Sequence, residues 1–202
     1  STRSGSTKVL LEEEIRRVIP VIKALSNKTN AVISVDTTNP QTARAALDAG
    51  ASILNDVSNL RDGDELAKLA AEYGARLILM HSRGTPQTMT GLTDYDDIVE
   101  DVCRELLQSV ETACAVGVSP ECIVVDPGIG FAKTAKQSLE ILSRIKEITT
   151  IGYPIMIGPS RKSFIGEITK SETNNRLGGT AAAVTHAVLS GPAMDRINNS
   201  VI

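Results

Sequence analysis

The sequence predicts an α/β fold of the TIM (β/α)8 barrel class, with about six of the eight β/α units carried by these 202 residues. Three observations predict it. Short β-branched apolar runs alternate with stripes of apolar residues at helical spacing. The runs are apolar throughout, as strands of a parallel sheet covered on both faces must be. Almost every run then ends in polar groups. An open doubly wound sheet binds its ligand at one switch point, so few strand ends would carry chemistry, whereas a barrel uses many at once.

In chain order, a first helical stripe of Leu11, Ile15, Ile19 and Ile22 contains Pro20, which removes a backbone donor and predicts a kink. Residues 31–35 form the first strand and end in Asp36-Thr37. Asn39-Pro40 is an N-cap with proline in the first turn, and Gly50 ends that helix. Residues 52–54 are the second strand, ending in Asn55-Asp56. Gly74 closes the next helix before residues 76–80, a strand that ends at His81. A long stripe of Ile98, Val102, Leu106, Val110 and Ala113 stops at Gly117, and residues 122–125 lead to Asp126. Leu139, Leu142 and Ile145 mark another helix. Residues 154–157 precede Ser160-Arg161-Lys162. The stripe Leu177, Ala181, Val184 and Val188 places His186 on the opposite, solvent side, and a weaker run at 193–197 contains Arg196. Thr37 and Asp56 are read equally well as loop caps; caps do not call for Lys, Arg and His at the same level.

Composition narrows the function. At 42% apolar and 22% charged residues, the chain buries one sizeable core, so residues 1–202 are expected to form a single domain. A net charge of −3 gives no basic field for nucleic acid or an anionic membrane, and two Phe, three Tyr and no Trp make no stacking platform. No apolar run approaches the roughly 20 residues of a membrane span and no signal peptide is evident, so the expected location is cytoplasmic. Cys103, Cys114 and Cys122 are odd in number and lack CxxC spacing, which predicts reduced thiols and neither a disulfide framework nor a zinc site.

Asp126-Pro-Gly-Ile-Gly-Phe-Ala-Lys-Thr134 ends a buried strand with a carboxylate and enters a glycine-rich loop. It is neither a Walker A loop nor a dinucleotide fingerprint. A carboxylate facing a ligand suits a metal or a flat nitrogen heterocycle with paired N–H donors. Asp36, Asn55 and Asp126 lie on three strands and could meet the edge of such a ring, but are too few for a protein magnesium cage. Val57, Met80 and Phe131 offer faces for it. The alternative for Asp126 is a charge paired with a loop lysine. Arg161, Lys162, Arg196 and Arg3, cations in an acidic chain, imply an anionic group such as a diphosphate. The site then binds a polar-edged heterocycle bearing an anionic leaving group, displaced by electrostatic stabilisation.

Ser34-Val-Asp-Thr37, Asn55-Asp-Val57, Met80-His-Ser-Arg-Gly-Thr-Pro86, Asp126-Pro-Gly-Ile-Gly-Phe131 and Ser160-Arg-Lys-Ser-Phe164, in this order, resemble the dihydropteroate synthase family. The resemblance implies condensation of 6-hydroxymethyl-7,8-dihydropterin diphosphate with 4-aminobenzoate, with release of diphosphate, with magnesium, in folate biosynthesis. It implies that Asp36, Asn55 and Asp126 bind the pterin edge, that Lys162 bonds the pterin, and that Val57, Met80 and Phe131 line its pocket. Arg196 would cover the pterin and contact diphosphate, Thr2 and Arg3 would close over the second substrate, and Ser163 would sit near the aminobenzoate carboxylate. Lys162, Arg196 and Asp126 would be the catalytic set.

Several departures accompany the resemblance. The family's first strand and an asparagine that helps hold magnesium fall upstream of Ser1, so the domain is expected to be N-terminally incomplete with no metal ligand of its own. Ser4 replaces a proline on a loop that the family links to sulfonamide resistance, which predicts reduced inhibitor sensitivity. The tail reads Arg196-Ile-Asn-Asn, with Asn198 in place of a diphosphate-binding histidine and Asp195 in an otherwise apolar strand. A homodimer is the expected assembly. Two other readings compete: a pterin-binding methyltransferase domain, which needs neither the Ser160-Arg-Lys motif nor an aminobenzoate loop, and a non-catalytic pterin-binding homologue.

Overall fold

The computed structural model describes residues 9–191 and the backbone of residues 194–195. Eight α-helices and six strands, with one or two helices between successive strands, run through these residues. They are α1 (Leu11–Ser26), β1 (Ser34–Asp36), α2 (Pro40–Asp48), β2 (Ile53–Asp56), α3 (Glu65–Tyr73), β3 (Arg76–Met80) and α4 (Ile98–Ala115). After these come β4 (Ile123–Asp126), α5 (Ala135–Ser143), α6 (Ile145–Ile148), β5 (Met156–Ile157), α7 (Ser163–Thr169), α8 (Leu177–Ser190) and β6 (Met194–Asp195). Every pairing is parallel: β1 to β4 lie side by side in chain order, a Val125–Ile155 bridge joins β4 to the start of β5, and β5 pairs with β6.

Each strand stands where an apolar run predicts it. The observed strands start one to three residues later in five places, and three of them also end later, so the polar ends Asp36, Asn55-Asp56 and Asp126 are themselves strand residues. The punctuation holds as well. Asn39 caps α2 by accepting from Gln41 N at 2.9 Å, and Gly50, Gly74 and Gly117 all carry positive φ at helix ends. Helix α1 runs through Pro20 as a single element.

Side chains alternate in and out along the strands. Val35, Leu54, Leu77, Leu79, Ile123, Val125, Ile155 and Ile157 join the large core beneath the helices. Ile53, Ile78, Val124 and Met156, one from each of β2 to β5, form a separate small cluster on the other face. That cluster is the barrel's interior layer, and the same-face residues one step further along are Asn55, Met80 and Asp126.

Helix α8 corrects one expectation. Its stripe does not face the core: Leu177 is 58% and Val188 54% exposed, while Thr180 and Ala187 are buried and Ala183 packs beside them. The 180–183–187 face points inward because the small residues there let the helix lie close, and His186, though exposed, is tied to the Leu142 carbonyl at 3.0 Å rather than to water alone. Among the described residues no helix is long and apolar enough to cross a membrane, and Cys103, Cys114 and Cys122 are all free thiols.

Candidate functional site

Three of the expected site residues meet at the carboxyl ends of the strands. Asn55 Nδ2 donates to Asp36 Oδ1 at 2.9 Å across the β1–β2 pair. Asn55 is 2% exposed, and its Oδ1 has no hydrogen-bond partner among the described residues. An acceptor left bare at that depth costs free energy unless something else donates to it. Asp126, 4% exposed, uses Oδ1 to accept from Gly128 N at 2.7 Å, and Met80 at 3% exposure closes the layer. The neighbouring Asp56 points the other way: it accepts from Ser58 N and Leu60 N and pins the β2–α3 loop, as the capping alternative requires.

The glycine-rich loop folds over this layer. A Cβ at Gly128, where φ is +66°, would lie 1.9 Å from the His81 carbonyl, and one at Gly130, where φ is +79°, would lie 3.3 Å from Lys162 Cδ. The two glycines therefore allow close backbone approach to β3 and to the β5–α7 loop; they are not a phosphate cradle. Lys162 Nζ donates to the Ile129 carbonyl and stands 4.6 Å from the Phe131 ring centroid, a cation–π distance. Half-buried Val57 follows β2, and exposed Ser163 opens α7 directly after Lys162. Arg161 adopts φ +52°, with its N–H on Thr180 Oγ1 at 3.0 Å and its carbonyl taking Arg176 Nη1 at 3.0 Å. Thr2, Arg3, Ser4, Arg196 and Asn198 lie outside the described residues.

The loop lysine that the alternative for Asp126 invokes is Lys133, which feels the pull of Asp126 but lies in a buried network with His81 that sequence reasoning passed over. Lys133, buried at 9% exposure, donates to His81 Nδ1 at 2.8 Å and to the Phe131 carbonyl at 2.9 Å. His81 Nε2 in turn meets Glu105 Oε2 at 3.0 Å, so Nδ1 is the acceptor and Nε2 carries the proton. Arg83 Nε reaches the same carboxylate at 3.1 Å and its guanidinium lies 3.9 Å from the Tyr95 ring centroid. Burial, then the Lys133 charge, push His81 down to about 4; burial pushes Lys133 down to about 7 against the pull of Asp126. Burial alone would raise Glu105, but bonds from His81 and Arg83 hold it at about 2. The sequence signal was present, since Lys133 stands within the quoted loop and His81 at a strand end, but nothing in spacing alone brings them together.

Among the described residues no group of three or more His, Cys, Asp or Glu side chains is placed to hold a metal ion. A groove of about 340 Å³ between α5, α7 and α8, with His186 among its lining residues and no carboxylate, lysine or arginine, lies apart from the polar strand ends. The chemistry belongs to the strand ends.

Comparison with known proteins agrees with this geometry. The profile of the "Pterin binding enzyme" family matches residues 1–198. The dihydropteroate synthase of Synechocystis is 44% identical over 200 residues, which cover 98% of this chain and 69% of the relative. The crystal structure of Yersinia pestis dihydropteroate synthase with a sulfonamide drug complex superposes with a TM-score of 0.95 at 31% identity, covering 98% of this chain and 72% of that one. That of Xanthomonas albilineans dihydropteroate synthase with 4-aminobenzoic acid gives 0.92 at 36% identity, covering 98% and 71%. The barrel class is thereby shown, and with strand ends, glycine loop and overall match in accord, the chain belongs to the pterin-binding enzyme family, among its dihydropteroate synthases.

Proposed function

We infer that this chain is a transferase that joins 6-hydroxymethyl-7,8-dihydropterin diphosphate to 4-aminobenzoate, giving 7,8-dihydropteroate and diphosphate in folate biosynthesis. The observation that carries the reading is the bare Asn55 Oδ1 beside two carboxylates at the barrel mouth. A pterin edge offers N–H groups in the plane of the ring, and Asn55, Asp36 and Asp126 would accept them. Met80, Val57 and Phe131 would line the faces of the ring. Lys162, on the Phe131 side, would bond the pterin and favour the departing anion.

The reaction needs no covalent enzyme intermediate. The pterin C–O bond breaks with its electron pair leaving on diphosphate, the resulting pterin cation is stabilised by the surrounding acceptors, and the aniline nitrogen attacks it and loses a proton. Arg196 would cover the pterin and meet diphosphate, Thr2 and Arg3 would close over aminobenzoate, and exposed Ser163 would sit at its carboxylate. Magnesium, which the resemblance implies, would neutralise charge on the departing diphosphate; every other step belongs to the chain's own residues. The X. albilineans relative binding 4-aminobenzoic acid supports the second substrate. Ser160-Arg-Lys disfavours the methyltransferase reading. We place the protein in the cytoplasm, as a single pterin-binding domain that pairs as a homodimer; its free cysteines fit a reducing compartment.

The test is turnover. Full-length protein with both substrates and magnesium should release diphosphate and form dihydropteroate only when aminobenzoate is present, and Asp126→Asn should lower kcat/KM on the order of 100-fold, the loss expected for a charged acceptor at the reacting ring. Pterin bound in calorimetry without turnover would instead favour the non-catalytic homologue.

A further inference from the structure

The loop that carries Asp126 and Phe131 is fastened to the β3–α4 segment at several backbone groups. His81 N donates to the Asp126 carbonyl at 2.8 Å, Lys133 Nζ, itself in the loop, donates to the Phe131 carbonyl at 2.9 Å while crossing to His81 Nδ1 at 2.8 Å, and Tyr95 OH donates to the Ala132 carbonyl at 3.0 Å. The second of these is the unusual one. It is made by a buried ammonium or amine, anchored in turn on the Nδ1 of a fully buried imidazole. Burying a cationic side chain is costly, and a fastening that served stability alone would be met more cheaply by an apolar residue or by the His81 N–H and Tyr95 hydroxyl bonds beside it.

We propose that Lys133 is a positioning residue for pterin recognition, which through His81 fixes the Phe131 carbonyl and so holds the loop in the geometry that aims Asp126 and Phe131 at the ring. The proposal rests on the reading of Asp126 and Phe131 as pterin contacts. Lys133 also lies close enough to Asp126 for the two charges to attract, and Glu105 at the far end of the chain is held by Arg83, so the imidazole is fixed at both nitrogens. The linkage runs Glu105, His81, Lys133, Phe131 carbonyl, and it ends at the face on which Phe131 and Lys162 meet.

The test separates positioning from stability. In the full-length protein, Lys133→Met keeps the stem and removes the donors. Calorimetry with 6-hydroxymethylpterin alone should show affinity weakened about 10-fold, the loss of one buried bond, with a parallel rise in KM for the pterin diphosphate. The KM for aminobenzoate should change less than about 2-fold even though the unfolding midpoint in urea falls as His81 Nδ1 and the Phe131 carbonyl lose their donor. His81→Leu should reproduce the weakened pterin binding, whereas His81→Asn, whose amide oxygen can replace Nδ1 as acceptor, should recover most of it. Should Lys133→Met fail to fold, the His81 pair reads the same link. Lys133→Met binding pterin like the wild type would overturn the proposal, as would the two KM values rising together. A wild-type protein that binds no pterin would overturn the parent reading and this one with it.

Discussion

Asn55 and Asp56 are neighbours at one strand end and do different work because strand geometry points them to opposite faces. Asp56 faces the helices and is committed to the loop that follows it, accepting from the Ser58 hydroxyl at 2.6 Å in addition to backbone N–H groups; burial nonetheless pushes its carboxyl above the usual range. Asn55 faces the barrel axis, gives one amide hydrogen to Asp36 and keeps its oxygen unpaired. An orphaned buried acceptor costs roughly 1–3 kcal/mol, a cost recovered when a ligand N–H reaches it. Asn55→Ala should therefore raise KM for the pterin diphosphate about 10- to 100-fold while leaving stability close to wild type, because the substitution removes an unsatisfied group along with a bond. Steady-state kinetics with the pterin varied, beside a urea titration, reads both; an unchanged KM would mean that Asn55 Oδ1 does not face the ring.

At the scale of the element, the β4–α5 loop is built around close approach rather than around flexibility. Gly74 and Gly128 have nearly equal φ, +62° and +66°, but a Cβ at Gly74 meets nothing within 4 Å whereas one at Gly128 meets the His81 carbonyl at 1.9 Å. The left-handed backbone alone costs alanine roughly 1–2 kcal/mol, so Gly74→Ala should be destabilising by about that amount. Gly128→Ala must add displacement of the loop from β3, and should cost at least about 2 kcal/mol more together with most of the pterin affinity. Equal losses in urea unfolding for the two variants would show that conformation, and not contact, sets the need for glycine at 128. The sequence displays both glycines alike; only the fold brings a carbonyl against one of them. For the same reason Asp36, Asn55, Met80 and Asp126 were legible as a set, since period and strand ends place them on one face, whereas Lys133 was not. Its partner His81 is 52 residues away and is reached across two loops whose paths no local pattern determines.

Over the whole molecule, the order of strands and the parallel sheet follow from apolar runs separated by helices, because covered strands must be apolar on both faces and crossover connections leave little choice of topology. Helix α8 resisted the same reasoning. Its composition is apolar nearly all round, so no stripe marks the inward face, and packing of Thr180, Ala183 and Ala187 decides it instead. What remains outside bears on assembly. On the side of α8 that borders α5 and α7, a groove of about 340 Å³ is lined by Leu142, Phe164, Ile165 and Ala182, and Leu139 and Ile168 stand at its walls with 47% and 50% of their surfaces exposed. Mostly apolar walls, with Ser143, Thr169 and His186 among them and no carboxylate, lysine or arginine, suit the isologous contact of two identical subunits, in which each copy supplies both ridge and groove. The proposed homodimer should form through this face. Ile168→Glu, half exposed in the monomer and so of small consequence for folding, should convert the dimer to monomer in sedimentation velocity at micromolar concentration, while Leu177→Glu, exposed beyond the groove lining, should leave it paired. A wild-type protein that sediments as a monomer at the same concentration, or an Ile168→Glu variant that still pairs, would exclude this face as the interface.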